Sequence, residues 1–117
     1  MFDFEKLDVY QLTHTQNVTV LKMLYEMKNL DRDIHDQWKR ASMSSLLNLA
    51  EGVGRMTPAD KKHYITVSRG SIFECVAILL TVRDLGVISK EESEKLYATY
   101  EQISKMLLGL FRNVEPK

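Results

Sequence analysis

Leu96, Tyr100, Ile103, Leu107, Leu110 and Val114 recur in steps of four and three along the last quarter of the chain. That spacing gathers apolar side chains on one stripe of a helix, which must pack on another element to leave water. Tyr64, Val67, Ser71, Cys75, Ile78, Val82 and Leu85 form a second seam of the same kind. No segment sustains strand-like alternation, so a sheet is not expected.

The punctuation of the chain divides it into four such helices. Thr57-Pro58-Ala59-Asp60 reads as a helix start, with a hydroxyl N-cap, proline at the first position and an acid in the first turn. Ser89-Lys90-Glu91-Glu92 has the form of a capping box, and Gly86 before it suits a left-handed helix end. Gly52 and Gly54 mark the end of the preceding helix, and Asp31 or Asp33 can cap its beginning. The predicted helices cover about 6–28, 33–53, 58–85 and 90–113. Short connections make neighbouring helices antiparallel. The expected architecture is all-α: one domain over 1–117, an up-down-up-down antiparallel four-helix bundle.

Composition narrows the function. Hydrophobic residues make up 44% and charged residues 27%, a balance that buries a core. Basic and acidic residues number 16 each, without the excess of cations that strong nucleic-acid binders carry. Locally, 35–70 holds Lys39, Arg40, Arg55, Lys61, Lys62 and Arg69 against Asp36, Glu51 and Asp60, which leaves a basic patch. No stretch is expected to reach the apolar run of a membrane helix, since Val76–Val82 is soon followed by Arg83 and Asp84. The opening Met1-Phe2-Asp3-Phe4-Glu5 is unlike a secretory signal, and a lone Cys75 fits a reducing compartment. These features predict a cytoplasmic protein with no membrane partner.

Apolar surface exceeds what one bundle seam uses. Met43, Leu46 and Leu47 lie beside the seam of helix two, and Ile65, Ile72, Phe73, Val76 and Leu80 beside that of helix three. Helix one adds Val18, Leu21, Tyr25 and Met27. A helix apolar on two sides, in so short a chain, points to self-association.

Helix two carries a candidate inward stripe of Gln37, Ala41, Ser44 and Asn48, small or polar where leucine is usual. Helix three answers with Ser68-Arg69-Gly70-Ser71. A mid-helix glycine costs about 1 kcal/mol against alanine, and a tight helix crossing would explain it. Folding back around Arg55 and Met56 puts Ala41 opposite Gly70, with Ser44 and Ser71 completing a close-packed contact. The same register puts Arg40 near Glu74, with Arg69 alongside and Glu51 near the positive end of helix three. Arg40, Asn48, Glu51, Arg69 and Glu74 thus form a candidate structural polar network; the alternative is a ligand or phosphate site built from Arg40, Asn48 and Arg69.

These motifs carry a resemblance. Gln37-x-x-Arg40-Ala41, Ser44, Asn48-Leu49-Ala50-Glu51-Gly52-x-Gly54-Arg55, Ser68-Arg69-Gly70-Ser71-x-x-Glu74 and the opening Leu7-Asp8-Val9-Tyr10 closely resemble the 23S rRNA intervening-sequence proteins. The resemblance implies a bacterial antiparallel four-helix bundle that assembles as a homopentamer. Members are encoded within inserts of 23S rRNA genes or as free-standing genes. The chain also looks similar to the accessory proteins of diversity-generating retroelements, which bind a reverse transcriptase and nucleic acid but are strongly basic. It departs from the intervening-sequence pattern at Ser45, usually apolar, and at Ser42 and Ser68, usually alanine.

Enzyme readings find no support in the sequence. A di-iron bundle needs two Glu-x-x-His pairs; His14, His35 and His63 supply none, and Asp60-x-x-His63 is the nearest match. Gly52-x-Gly54 lacks the Gly-Lys-Ser/Thr of a phosphate loop. Cys75 on an apolar face reads as a core residue; Trp38, Tyr10 and Tyr25 could stack on bases, but at helical spacing they read as core or interface residues. The expectation is a non-enzymatic scaffold or adaptor, without metal or cofactor, that self-associates and meets RNA or a ribonucleoprotein. The alternative is direct nucleic-acid binding through Lys39, Arg55, Lys61 and Lys62, as an accessory to a reverse transcriptase.

Overall fold

The structure, a computed structural model, describes residues 1–115. A 3-10 turn at Asp3–Lys6 leads into four helices: α1 Asp8–Glu26, α2 Arg32–Gly54, α3 Pro58–Asp84 and α4 Lys90–Arg112. No strand occurs among the described residues. The bundle measures 49 × 23 × 20 Å.

Local chemistry sets the helix boundaries. The Asp31 carboxylate accepts from the Asp33 and Ile34 amides at 3.1 and 3.3 Å. Thr57 and Ser89 accept from the amides of Asp60 and Glu92 at 3.2 and 3.1 Å. Each bond satisfies a donor that the first helical turn leaves free. At the end of α3, Gly86 has a φ of +75°, and the Gly86 and Val87 amides donate to the Arg83 and Val82 carbonyls. This left-handed closure stops the helix and turns the chain toward α4. Helix α1 starts two residues later than predicted, at Asp8. The Glu5 carboxylate accepts from the Phe2 amide at 2.7 Å and holds the preceding residues in the 3-10 turn.

The core contains Val20, Leu24, Trp38, Leu49, Ile72, Cys75, Leu79, Val82, Tyr100, Ile103 and Leu107, all essentially inaccessible. On α4 the expected stripe is the buried one from Leu96 to Leu107, with Leu110 packed at its edge. On α2 and α3 the buried arcs are rotated from their predicted positions. Trp38, Ala41, Ser42, Ser45, Leu49 and Gly52 face inward on α2, so Ala41 of the expected stripe is buried, whereas Gln37 is exposed and Ser44 and Asn48 lie at the edge. Ile65, Ser68, Ser71, Ile72, Cys75, Leu79 and Val82 face inward on α3, so Ser71, Cys75 and Val82 of the expected seam are buried, while Val67 and Leu85 are exposed. The physical reason is position. Helix α3 contacts both α2 and α4, so its buried arc is centred between two neighbours.

Paired residues fix how the helices lie. Arg55 meets Tyr64, Ser45 meets Ser68, and Ser44 meets Ser71, so numbers fall along α2 as they rise along α3. Arg69 with Ser104 and Lys62 with Phe111 show the same course for α3 and α4.

One expectation needs correction. Helix α3 is long and apolar enough to cross a membrane by composition, with a mean hydropathy of 1.6 over its most apolar window. Charge at its ends did not prevent this, because the window between them holds few charged residues. Here part of that window packs on α2 and α4. Only 39% of it is buried, so α3 retains apolar surface beyond the needs of the single chain.

Candidate interaction surface

Neutral polar side chains latch the helices together. Gln16 on α1 donates to the Leu96 carbonyl of α4 at 2.9 Å, and Asn17 donates to the Ser42 carbonyl of α2 at 2.5 Å. Ser68 on α3 donates to the Ser45 carbonyl at 2.6 Å, Ser44 and Ser71 share a 2.8 Å bond, and Ser42 approaches Cys75 at 3.8 Å. Arg69 Nε donates to the Ser104 carbonyl of α4 at 3.1 Å. Hydroxyls and amides can be buried at lower cost than charges, because they carry no net charge to desolvate; the Asn17 Oδ1 is nonetheless buried with no partner among the described residues. Deeper in the core, Trp38 Nε1 donates to the Tyr100 hydroxyl at 3.1 Å. Burial pushes the neighbouring Cys75 thiol up to about 11, so it stays protonated and unreactive at neutral pH.

The ionic network expected from the sequence does not form within the chain. Arg40, Glu51 and Glu74 are exposed, and neither they nor Arg69 enters an ion pair among the described residues. Their long side chains stay in water because the serine latches already occupy the crossing. Among the described residues Asn48 bonds only its own helix, donating to the Ser44 carbonyl and hydroxyl at 2.9 and 3.1 Å. The expected phosphate site of Arg40, Asn48 and Arg69 is likewise not assembled: Arg40 is exposed on α2, while Arg69 reaches toward α4.

The tight crossing exists, but not at Gly70. Ala41 is buried and Ser44 meets Ser71, yet Gly70 is exposed, and a Cβ added there would meet nothing within 4 Å. The close approach lies at Gly52, where an added Cβ would fall 2.9 Å from Tyr64 Cβ. Gly70 therefore carries its cost of about 1 kcal/mol with no cause inside the chain.

The residues missed from sequence are Gln16, Asn17, Ser42, Ser45, Gly52 and Ser68. A signal for four of them was present. Trp38, Ser42, Ser45, Leu49 and Gly52 step by four and three, as do Ile65, Ser68, Ile72, Cys75, Leu79 and Val82.

The four cations considered for nucleic-acid contact are split and engaged. Arg55 donates to the Tyr64 hydroxyl at 2.6 Å, a bond that raises its already high pKa, and lies over that ring. Lys61 donates to the Val53 carbonyl at 3.0 Å, and Lys62 lies 5.1 Å from the Phe111 ring centre. Lys39 sits over Tyr25, about 24 Å along α2 from Arg55 at the helical rise per residue. These cations do not form one patch.

What stands open is the face between α3 and α4. Two depressions of about 350 and 330 Å³ share Phe73, which is 55% exposed. The first is walled by Ile65, Arg69, Leu108 and Phe111; the second by Val76, Leu80 and Tyr97. The Arg69 guanidinium lies 4.8 Å from the Phe73 ring centre. Among the described residues, no group of three His, Cys, Asp or Glu side chains could hold a metal ion.

This arrangement of four helices with a polar α2–α3 crossing can be placed among known proteins. The family described as "23S rRNA-intervening sequence protein" matches residues 5–109. The chain belongs to that family. Its fold is also that of a crystallised protein of unknown function from the S23 ribosomal protein family of Bacteroides thetaiotaomicron. The TM-score is 0.82 at 17% identity, covering 90% of this chain and 99% of that one. No curated protein matches. In the structure the Asn48–Arg55 run carries Gly52 at the tight crossing, and Ser68–Ser71 carries two of the serine latches.

Proposed function

We propose that this protein is a non-enzymatic cytoplasmic scaffold or adaptor: an antiparallel up-down-up-down bundle that assembles with copies of itself and associates with RNA or a ribonucleoprotein. A homopentamer, the assembly implied by the family resemblance, is the expected state. One observation carries the reading. The apolar α3–α4 face remains open in the single chain, with Phe73 in its middle. Scattered exposed apolar residues are ordinary on a monomer, but a continuous apolar face between two helices suits a partner. Direct nucleic-acid binding by the single chain is the weaker reading. Its four cations are divided between two places on the bundle, Arg55 and Lys61 are hydrogen-bonded within the chain, and net charge is zero.

Sedimentation at micromolar concentration tests both parts. The expected species has a multiple of the 13.6 kDa chain mass, five-fold for a pentamer. It co-sediments with an rRNA fragment at low salt and releases it as salt rises. A monomer at that concentration removes the assembly. An assembly that ignores RNA at both salt concentrations removes the RNA association.

A further inference from the structure

Two exposed features beside each other on this molecule are chemically matched to each other. The α3–α4 groove is apolar, with Glu101 in its second depression and a basic first one: Arg69 lies over Phe73 and Lys62 over Phe111, and neither has a carboxylate partner among the described residues. The adjoining α2–α3 edge is apolar and carries two exposed acids, Glu51 and Glu74, against one exposed cation, Arg40. Leu47 and Val67 are 59% and 37% exposed, and Glu51 and Glu74 are exposed on the same two helices. A helical side chain leans toward the N-terminus of its own helix, over the residue four positions back. Glu51 therefore leans toward Leu47, and Glu74 toward Gly70. With α2 and α3 running in opposite directions, the two carboxylates converge on the apolar pair between them.

We propose that the α2–α3 edge of one copy seats in the α3–α4 groove of the next, with Glu51 and Glu74 of the incoming copy meeting Lys62 and Arg69. The inference rests on the self-assembly reading and specifies how copies meet. It accounts for three facts that the single chain leaves unexplained. Arg40, Glu51, Arg69 and Glu74 make no ion pair with one another, because three of them, Glu51, Arg69 and Glu74, serve the contact between copies. The guanidinium of Arg69 sits in an apolar groove without a counterion, which the next copy supplies. Gly70, exposed at the groove wall, lets the incoming backbone approach where a side chain would stand. Groove and edge are different surfaces of one chain, so the contact is head-to-tail and builds a ring where the rotation closes.

Charge exchange tests this. Lys62→Glu with Arg69→Glu makes both surfaces acidic; Glu51→Lys with Glu74→Lys makes both basic. Each double variant is expected to weaken assembly by about a hundredfold or more, since like charges then face each other. The quadruple variant exchanges the signs of both surfaces and is expected to reassemble to within about tenfold of the parent. Circular dichroism at each step follows helix content. Glu51 and Glu74 make no hydrogen bond or ion pair among the described residues, so the second double variant probes assembly even if the first disturbs the Arg69–Ser104 bond. Double variants that assemble like the parent, or a quadruple variant no better than the doubles, overturn the pairing while leaving assembly itself intact. A parent protein that is monomeric removes the reading beneath it.

Discussion

Trp38→Ala is expected to cost about 3–5 kcal/mol of folding stability, close to the whole stability of a small domain at the low end of the usual 5–15 kcal/mol. Trp38 is the largest side chain with no solvent exposure. Its loss removes apolar contact with the bundle centre and leaves a cavity that four helices pinned by polar latches cannot readily close. It also removes the donor that the Tyr100 hydroxyl accepts at 3.1 Å. Tyr100 is itself fully buried, and burial holds its hydroxyl protonated, so that group stays in the core with one partner fewer. Urea unfolding followed by circular dichroism gives the answer. A loss below about 1 kcal/mol would mean that the indole is not the centre of the core.

The same residue explains what the sequence made legible and what it did not. Helix starts and stops are written in neighbouring residues: Asp31, Thr57, Ser89 and Gly86 act within a few positions of themselves. Such signals read directly. Which arc of a helix faces inward depends on partners far along the chain. On α4 one apolar stripe was unambiguous. On α2 the small or polar residues Gln37, Ala41, Ser44 and Asn48 suggested one face, of which Ala41 alone is buried, while Trp38, Leu49 and the serines between them fixed another. Two period-matched stripes compete there, and the indole decides because it has the most surface to bury.

The polar residues show a second limit. Arg40 and Glu74 fall at the same level of the α2–α3 pair, so their spacing correctly suggested proximity along the axis. Whether two charges turn inward depends on what already fills the crossing. Ser45 and Ser68 fill it, with hydroxyl-to-carbonyl bonds that need no charge. The open α3–α4 face was only half visible. Its residues were recognisable as surplus, but their gathering into one groove around Phe73 required the positions of Leu108 and Phe111 on α4.

Gly52 on α2 lies inside the α2–α3 crossing and Gly70 on α3 outside it, and substitutions at the two should move stability in opposite directions. At Gly52 a new Cβ would fall 2.9 Å from Tyr64 Cβ and 3.4 Å from the Lys61 carbonyl oxygen. Both are anchored on the helix rather than carried on a flexible tip, so α2 and α3 would have to part. Gly52→Val adds two further methyl groups at this point and is expected to cost about 2–3 kcal/mol. The parting would also disturb the Arg55–Tyr64 bond one turn away. At Gly70 a Cβ meets nothing within 4 Å, and the helix gains from alanine's better propensity. Gly70→Ala should therefore stabilise the isolated chain by about 0.5–1 kcal/mol. Thermal unfolding of the two variants, at a concentration low enough to hold the chain as a monomer, compares them. A Gly52→Val protein as stable as its parent would show that the helices do not meet there. A Gly70→Ala protein less stable than its parent would show that this glycine serves the fold of the chain itself and not a surface beyond it.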